Sequence, residues 1–243
     1  HHYRVNHYPD KYRDYLFGDH RRYDSHYWSH YFGYNGDTTH RGSSDRNGQS
    51  KLDDNGKTAI SFELPKLTFP TAMSVNLHSE ITDARDQTLT TKTRTTVHPA
   101  DTYIGISRID RLIRVGEDPA LELIAVDPQG EQRTDAVKVT ATIVREYHES
   151  VKIKSADGKV SVKNTKKTAV VSEQEITIEP NKPMTLPFQP EHTGRHVVTL
   201  KGVDKDGHAF STASRLWIYG TKDYPWATED GMKIKLVPEK KRY

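Results

Sequence analysis

The sequence predicts an all-β protein made of tandem antiparallel β-sandwich domains of the immunoglobulin or fibronectin type III kind. From residue 57 onward, Thr, Val, Ile and Lys alternate between apolar and polar positions, which is the period of a half-buried strand. Clusters of Asp, Asn and Gly separate these runs, as hairpin turns require. No stretch of ten or more residues has a convincing helical period. Strands of this length, separated by such turns, favour sandwiches over one large barrel.

Length and composition limit the architecture further. The 243 residues leave room for two domains at the usual size of about 100 to 200 residues. Only 33% of the residues are apolar and the mean hydropathy is −0.83, so no large core is expected.

The region before residue 100 contains two clear alternating runs, residues 58–64 and 73–78. Residues 1–42 hold seven of the thirteen histidines and eight of the thirteen tyrosines, and residues 38–55 are rich in Gly, Ser, Asp and Asn, which is typical of an exposed loop. We count only about four strands before residue 98, whereas a sandwich needs roughly seven. A first domain that lacks its N-terminal part is therefore expected, with the parent protein extending in both directions.

The region after residue 100 has enough strands for a complete sandwich. Its turns are predicted at residues 127–130, 157–158 and 204–207, and residues 53–56 form a similar turn in the first domain, each containing Asp and Gly. The strands are predicted near residues 102–107, 119–126, 136–147, 151–162, 168–179, 184–188, 195–204 and 208–219.

An internal repeat supports two consecutive domains. A shift of 121 positions places residues 81–83 on residues 202–204, Val97 on Ile218 and Tyr103 on Tyr224. In both copies a strand ends at an Asp, a turn follows, and a Thr- or Ser-rich strand leads to an aromatic residue. This period suits an array of sandwiches of about 100 residues each. We therefore predict domains at residues 1–100, with a Tyr/His-rich insertion, and 101–220, followed by a linker and the first strand of a further domain at 221–243.

Composition also excludes several classes of protein. The net charge of +3 is too small for a dedicated nucleic-acid binder. The absence of cysteine excludes disulfides, zinc–cysteine sites, iron–sulfur clusters and thiol nucleophiles. No apolar run approaches the roughly 20 residues that cross a bilayer, and no signal peptide is visible. We find no phosphate-binding loop, no nucleophile elbow and no carboxylate pair, so we predict neither enzyme activity nor a cofactor.

The histidines of the N-terminal region are the first candidates for a site. His26 and His30 are four residues apart, with His20 and Asp24 nearby, a spacing that suits zinc ligands on one face of a helix or a strand. Nothing in the sequence predicts an ordered scaffold for them, and a surface or interface loop is the preferred interpretation. No metal site is therefore predicted.

Other motifs also have simpler structural interpretations. Residues 21–23, Arg-Arg-Tyr, could stack bases and hold phosphates, but Asp14, Asp19 and Asp24 interrupt the positive charge, so contact between domains is preferred. Residues 204–207 open like a calcium loop but lack the later oxygen ligands, which favours a hairpin turn. Trp217, which alternates with Tyr219, is expected in the sandwich core. A solvated strand is expected for the basic residues at the end of the chain: Lys233, Lys235, Lys240, Lys241 and Arg242.

Several of these motifs, in their order, resemble those of bacterial alpha-2-macroglobulins. Residues 79–87 and 95–105 resemble the turn and the Val-His-Pro-Ala strand end that close one macroglobulin-like domain, and the aromatic strand that opens the next. Residues 115–117, 125–130, 188–194 and 232–243 also resemble the family's patterns. The resemblance covers roughly residues 56–243.

The resemblance implies a role in a protease trap. Proteins of this family are large periplasmic or cell-surface inhibitors in which a protease cuts a bait segment and the domains then rearrange and cage it. It implies that this chain is a non-catalytic scaffold segment, whose partners are other domains of the parent and the target proteases. Because the chain has no cysteine, it cannot carry the family's thioester, and no trapping residue is expected here.

Two alternatives remain open at this point. A tandem Ig-like stalk or adhesin on a cell surface would use the aromatic loop to bind a protein or a glycan. A carbohydrate-binding module would instead need exposed aromatic residues in one plane, with Trp28 as the first candidate.

Overall fold

The computed structural model describes residues 2–4, 7, 9–21, 47–64, 69–108, 112–154 and 160–220. Within them the chain is almost entirely antiparallel β-structure, which confirms the predicted fold class. A single turn of 3-10 helix covers Asp10–Tyr12, and no helix in this part of the chain is long and apolar enough to cross a membrane. The strands are β1 (His2–Arg4), β2 (Tyr15–Phe17), β3 (Met73–Thr82), β4 (Thr88–Val97), β5 (Tyr103–Ser107), β6 (Leu112–Arg114), β7 (Leu121–Val126), β8 (Val137–Lys154), β9 (Val160–Ile178), β10 (Met184–Leu186), β11 (Gly194–Val203) and β12 (Ala209–Tyr219).

Two sheets pack face to face as a sandwich. One has the strand order β10-β7-β5-β2 and the other the order β6-β12-β11-β8-β9. All neighbours are antiparallel except β6, which runs parallel to β12. Alternate residues of each strand point inward, and they form one apolar core whose fully buried members include Ile104, Leu121, Leu123, Ile143, Leu200 and Ile218.

A third sheet, β1-β3-β4, consists mainly of a long two-stranded ribbon. The first three residues of β3 are buried, whereas the rest of β3 and nearly all of β4 are exposed. The base of the ribbon therefore packs on the sandwich, and the rest of the ribbon projects into solvent.

The strands β8 and β9 differ from the prediction. The sequence predicts breaks between residues 147 and 151 and between 162 and 168, but both strands run through these positions. Their pairing extends from Val137↔Ile178 to Lys154↔Val160, with one bulge between Ile143 and Val144. The polar residues that resemble a turn in the sequence instead lie on both exposed faces of a projecting hairpin. Because both faces contact solvent there, polar residues do not indicate a turn.

Other segments also differ from the prediction. The run 58–64 alternates as a strand should, yet it pairs with no strand among the described residues, and Ile60 and Phe62 are 61% and 46% exposed. Alternation alone does not make a strand, because the backbone also needs a partner. Conversely, β2 and β6 are three residues long, too short to show a period.

The predicted hairpin turns share one hydrogen-bonding scheme. In the turn that joins β11 to β12, the Asp204 N–H donates to the carbonyl of His208 (2.9 Å), and Asp204 Oδ1 accepts from the N–H groups of Asp206 (3.0 Å) and His208 (2.8 Å). The turns that begin at Asp53, Asp83 and Asp127 repeat this scheme. Glycine occupies the fourth position with positive φ in every case except Asp86, whose φ is 59°. The turn at 157–158 and the strand predicted at 232–236 lie outside the described residues.

Candidate functional site

The structure draws attention to a junction at which three parts of the chain meet. These are residues 9–21, here called the arm, the base of the β3–β4 ribbon, and the outer face of the sandwich. Strand β2 of the arm pairs with β5, with Phe17 opposite Gly105 and Tyr15 opposite Ser107. The arm therefore extends a sheet of the sandwich, although it belongs to the N-terminal part of the sequence.

Beyond β2 the arm passes to the other sheet. The N–H of Ala213 donates to the carbonyl of Gly18 (2.9 Å), and the N–H of His20 donates to the carbonyl of Ala213 (2.8 Å). The N–H of Gly18 also donates to Thr212 Oγ1 (3.3 Å). The arm thus joins β5 to β12: it extends the first sheet beyond β5 and bonds to β12 at Ala213, a position that β6 does not reach.

Phe17 is the apolar anchor of the arm. Its side chain is fully buried in a small cluster with Ala72, Tyr103, Ile124 and Val126. This cluster is separate from the sandwich core, because Tyr103 and Ile124 are on the opposite face of their strands from Ile104 and Leu123. Phe17 therefore packs on the outside of the sandwich.

The residue beneath Phe17 must be small. A Cβ atom at Gly105 would lie 2.7 Å from the Phe17 ring and 2.9 Å from Ile124. Both distances are shorter than a carbon–carbon contact allows. Gly105 therefore makes the space that the aromatic ring fills.

Polar contacts flank this anchor. The Tyr15 hydroxyl donates to Glu122 Oε2 (3.1 Å), and burial, together with this hydrogen bond, raises the pKa of Tyr15 to about 12. Lys11 Nζ pairs with Glu131 Oε2 (3.0 Å) in solvent, where such a pair contributes little. Tyr15 and Lys11 of the arm therefore each contact an acidic residue of the sandwich.

Two histidines and a tyrosine meet at the base of the ribbon. His98 Nδ1 lies 2.7 Å from the Tyr103 hydroxyl, and the ring of His7 lies 4.4 Å from that of Tyr103. Burial, with a smaller contribution from His98, lowers the pKa of His7 to about 4, although Asp127 opposes the shift. Burial also lowers the pKa of His98 and raises that of Tyr103. At neutral pH these rings pack as neutral groups.

Of the residues considered as zinc ligands, only His20 lies in the described part of the chain. His20 Nε2 lies 3.1 Å from the carbonyl of Phe17, so this ring serves the arm. Asp24, His26 and His30, as well as Trp28, lie outside the described residues.

Arg21 is also engaged within the protein. It makes two hydrogen bonds to the Asp19 carboxylate (2.8 and 2.7 Å), and its guanidinium lies 4.6 Å from the centre of the Phe69 ring. Arg22 and Tyr23 lie outside the described residues. The preferred interpretation of this motif, a contact between domains, stays a prediction, because Asp19 and Phe69 both belong to the predicted first domain.

The carboxylate oxygens of Asp204 accept hydrogen bonds from the backbone of the turn and of the β4–β5 connection. Asp204, Asp206 and His208 bring one potential ligand atom each to within 4.8 Å of one another. However, Asp204 Oδ1 already accepts two backbone N–H groups, and Oδ2 accepts the N–H of Asp101 (3.0 Å). Burial alone would raise the pKa of Asp204, but these N–H groups and His208 outweigh it and lower the pKa. This arrangement is the hairpin turn that the sequence predicts.

Trp217 does not lie in the sandwich core. Leu216 and Ile218 are fully buried, whereas Trp217 is half-buried on the opposite face of β12. The prediction was wrong because the alternation in this strand was assigned to the wrong face. The basic residues from Lys233 to Arg242 lie outside the described residues.

The strand β2 in the arm was not predicted from the sequence. The sequence Tyr-Leu-Phe-Gly at residues 15–18 has an apolar residue between two aromatic ones and a glycine that ends the run. That pattern is compatible with a short strand, but the surrounding Tyr- and His-rich composition obscures it.

Comparisons with known proteins give a family match over most of the sandwich. Residues 107–220 match the family model of bacterial macroglobulin domain 6. No curated protein matches the sequence.

Solved structures show the same fold over most of the chain. Salmonella alpha-2-macroglobulin reacted with methylamine is 16% identical, with a TM-score of 0.52 over 89% of this chain. Escherichia coli alpha-2-macroglobulin in its native conformation is 15% identical, with a TM-score of 0.52 over 90%. The same Escherichia coli protein activated by porcine elastase is 16% identical, with a TM-score of 0.55 over 91%.

The chain spans only 14%, 14% and 18% of the length of these three structures, respectively. The resemblance expected from the sequence is confirmed: residues 107–220 match bacterial macroglobulin domain 6, and the chain has the fold of the part of bacterial alpha-2-macroglobulins that it covers.

Proposed function

We propose that this chain is a non-catalytic scaffold segment of a bacterial alpha-2-macroglobulin-like protease inhibitor. The observation that carries the proposal is the match of residues 107–220 to bacterial macroglobulin domain 6. The fold shared with an alpha-2-macroglobulin activated by elastase agrees with it. The parent protein acts in the periplasm or at the cell surface, and its partners are target proteases.

The proposed mechanism is mechanical. A protease cuts the parent at a bait segment elsewhere, and stiff modules convert that cut into a new arrangement of domains. The modules are residues 1–100, 101–220 and the start of a further domain at 221–243. A segment of this kind needs joints that hold their geometry, not catalytic groups.

The connection between β4 and β5 has the properties of such a joint. Asp101 donates its N–H to Asp204 Oδ2, and Arg133 Nη1 lies 3.1 Å from Asp101 Oδ2 and 3.3 Å from its carbonyl oxygen. Arg133 also makes two hydrogen bonds to the Asp135 carboxylate (2.9 and 3.0 Å). The guanidinium of Arg133 thus holds the connection to the loop between β7 and β8, and Asp204 holds it to the turn between β11 and β12.

The test uses the full-length parent protein and a protease of broad specificity. The proposal expects a single internal cut, compaction of the particle in small-angle scattering and co-elution of the protease. Progressive degradation without compaction would contradict it.

Replacing Arg133 by Ala in the parent isolates the contribution of the joint. The cut should occur at an unchanged rate, whereas compaction should be incomplete, because the modules can no longer transmit the change. The matched control is Arg13→Ala, since Arg13 pairs with Asp10 in full exposure to solvent and such a pair contributes little.

A further inference from the structure

The arm occupies a surface that has the properties of a peptide-binding site. The β5 edge offers backbone groups to an antiparallel strand, and Gly105 leaves space for one aromatic ring next to Tyr103, Ile124 and Val126. Adding a strand to a sheet edge and filling a side-chain pocket is a general mode of peptide recognition, in which the backbone gives affinity and the pocket gives specificity.

The sandwich core closes without the arm. The twenty buried residues of that core include no residue of the arm, whereas Phe17 belongs to the separate outer cluster. Strand β2 has only three residues, and the charged contact of Lys11 is exposed. Apart from Phe17 and the bonds to β12, the arm has few buried contacts, and such segments open locally at a lower free energy than the core does. The arm can therefore leave while the sandwich stays folded.

We propose that the β5 edge and the Phe17 pocket form a strand-acceptor site, which the arm fills in cis and which binds other extended peptides of matching chemistry. The ligand is an unstructured segment with two aromatic residues two positions apart and a glycine after the second. The arm itself has this pattern in Tyr15, Phe17 and Gly18, and Glu122 accepts a hydrogen bond from the first aromatic residue.

The test measures binding of a fluorescent synthetic peptide of residues 9–21 to the complete chain. In the wild-type chain the tethered arm competes at an effective concentration in the millimolar range, so binding is weak. In the Phe17→Ala chain the arm has lost its anchor, and a truncation of this size weakens it by about 100-fold or more. We expect the peptide to bind this variant about 100-fold more tightly than the wild type; equal affinities would overturn the proposal.

Two matched variants test whether the pocket is the binding site. A peptide with Ala in place of Phe17 should not bind the Phe17→Ala chain. The double variant Phe17→Ala/Gly105→Ala should also fail to bind the unmodified peptide, since the added methyl group occupies the position of the ring. Circular dichroism and thermal unfolding establish that the sandwich is intact. Binding by the double variant as tight as that by Phe17→Ala would contradict the proposal.

A second experiment does not depend on the folding of these variants. A specific protease site is inserted after Gly48, in a segment that is exposed and has open space around it, and the otherwise wild-type chain is cut there. Excess labelled peptide should bind in place of residues 9–21, so that the backbone amides of residues 15–17 lose their protection from exchange while the sandwich amides keep theirs. Absence of peptide binding, or unfolding of the sandwich when the arm is replaced, would refute the proposal. Neither outcome bears on the proposed protease trap, which is tested on the parent.

Discussion

Acidification is expected to destabilise the sandwich through His196 on β11. The side chain is fully buried, and its ring lies 5.8 Å from that of Phe188. Nδ1 lies 3.3 Å from the carbonyl of Gly194, whereas Nε2 is buried without a hydrogen-bond partner. A protonated ring would therefore place a charge and an additional donor in a site that solvates neither.

The magnitude follows from proton linkage. Burial, reinforced by the nearby Arg145 and His192, lowers the pKa of His196 from 6.5 to about 4, against the opposing effect of the Gly194 carbonyl. The unfolded chain takes up a proton near pH 6.5, but the folded chain does so only near pH 4. Stability is thus fully present above the unfolded pKa and is lost as the pH falls towards the folded one. At about pH 5 the loss from this group is about 2 kcal/mol.

The assay is urea-induced unfolding at about pH 7.5 and about pH 5, followed by circular dichroism. The difference in unfolding free energy between the two pH values should shrink by about 2 kcal/mol in His196→Leu, since that variant has no proton to exclude. His78→Gln is the control, because His78 is exposed on β3. An imidazole resonance of His196 that titrates near its ordinary pKa, or an unchanged pH dependence in His196→Leu, would refute the reasoning.

Three other predictions concern close contacts and turns. Gly202→Ala should lower the unfolding free energy by about 1–3 kcal/mol, since its Cβ would lie 2.4 Å from the aromatic ring packed on it; Gly48→Ala, in open space, is the control, and equal midpoints in urea would contradict this. Asp86→Gly should raise the melting temperature, because a positive φ costs a non-glycine residue about 1 kcal/mol and glycine avoids this cost; a lower melting temperature would contradict this. Asp204→Ala should lower the melting temperature more than Asp53→Ala, since only Asp204 also accepts a hydrogen bond from the connection between the modules; equal losses would contradict it.

The sequence predicted those parts of the fold that depend on local chemistry. Alternation located β7, β11 and β12 to within a few residues. The Asp–Gly signature located the turns, because the side chain of Asp and the positive φ of the fourth residue build the turn without outside help. Where both faces of a strand are exposed, as in the outer half of β8 and β9, the pattern disappears and the predicted breaks were wrong.

The junction could not be predicted in the same way, because it depends on contacts distant in sequence. Phe17 pairs with Gly105 and packs on Ile124, and nothing near residue 17 indicates either partner. No role in this junction was predicted for His7 or His98, whereas the structure uses both as neutral packing groups. Residue type alone does not predict this role, since burial decides which form of the ring is stable.

The repeat of 121 residues shows how context changes one local design. The hairpins β3–β4 and β11–β12 have the same turn, with Thr82 opposite Thr88 and Val203 opposite Ala209. Yet β12 is buried along most of its length, whereas β4 is exposed. An isolated two-stranded ribbon is marginally stable in water, so the β3–β4 hairpin takes its stability from its base. There Met73 and Val75 are buried beside the arm's own pocket residue, Ala72. Release of the arm would therefore also uncover Ala72, the residue that precedes β3 at the base of the ribbon.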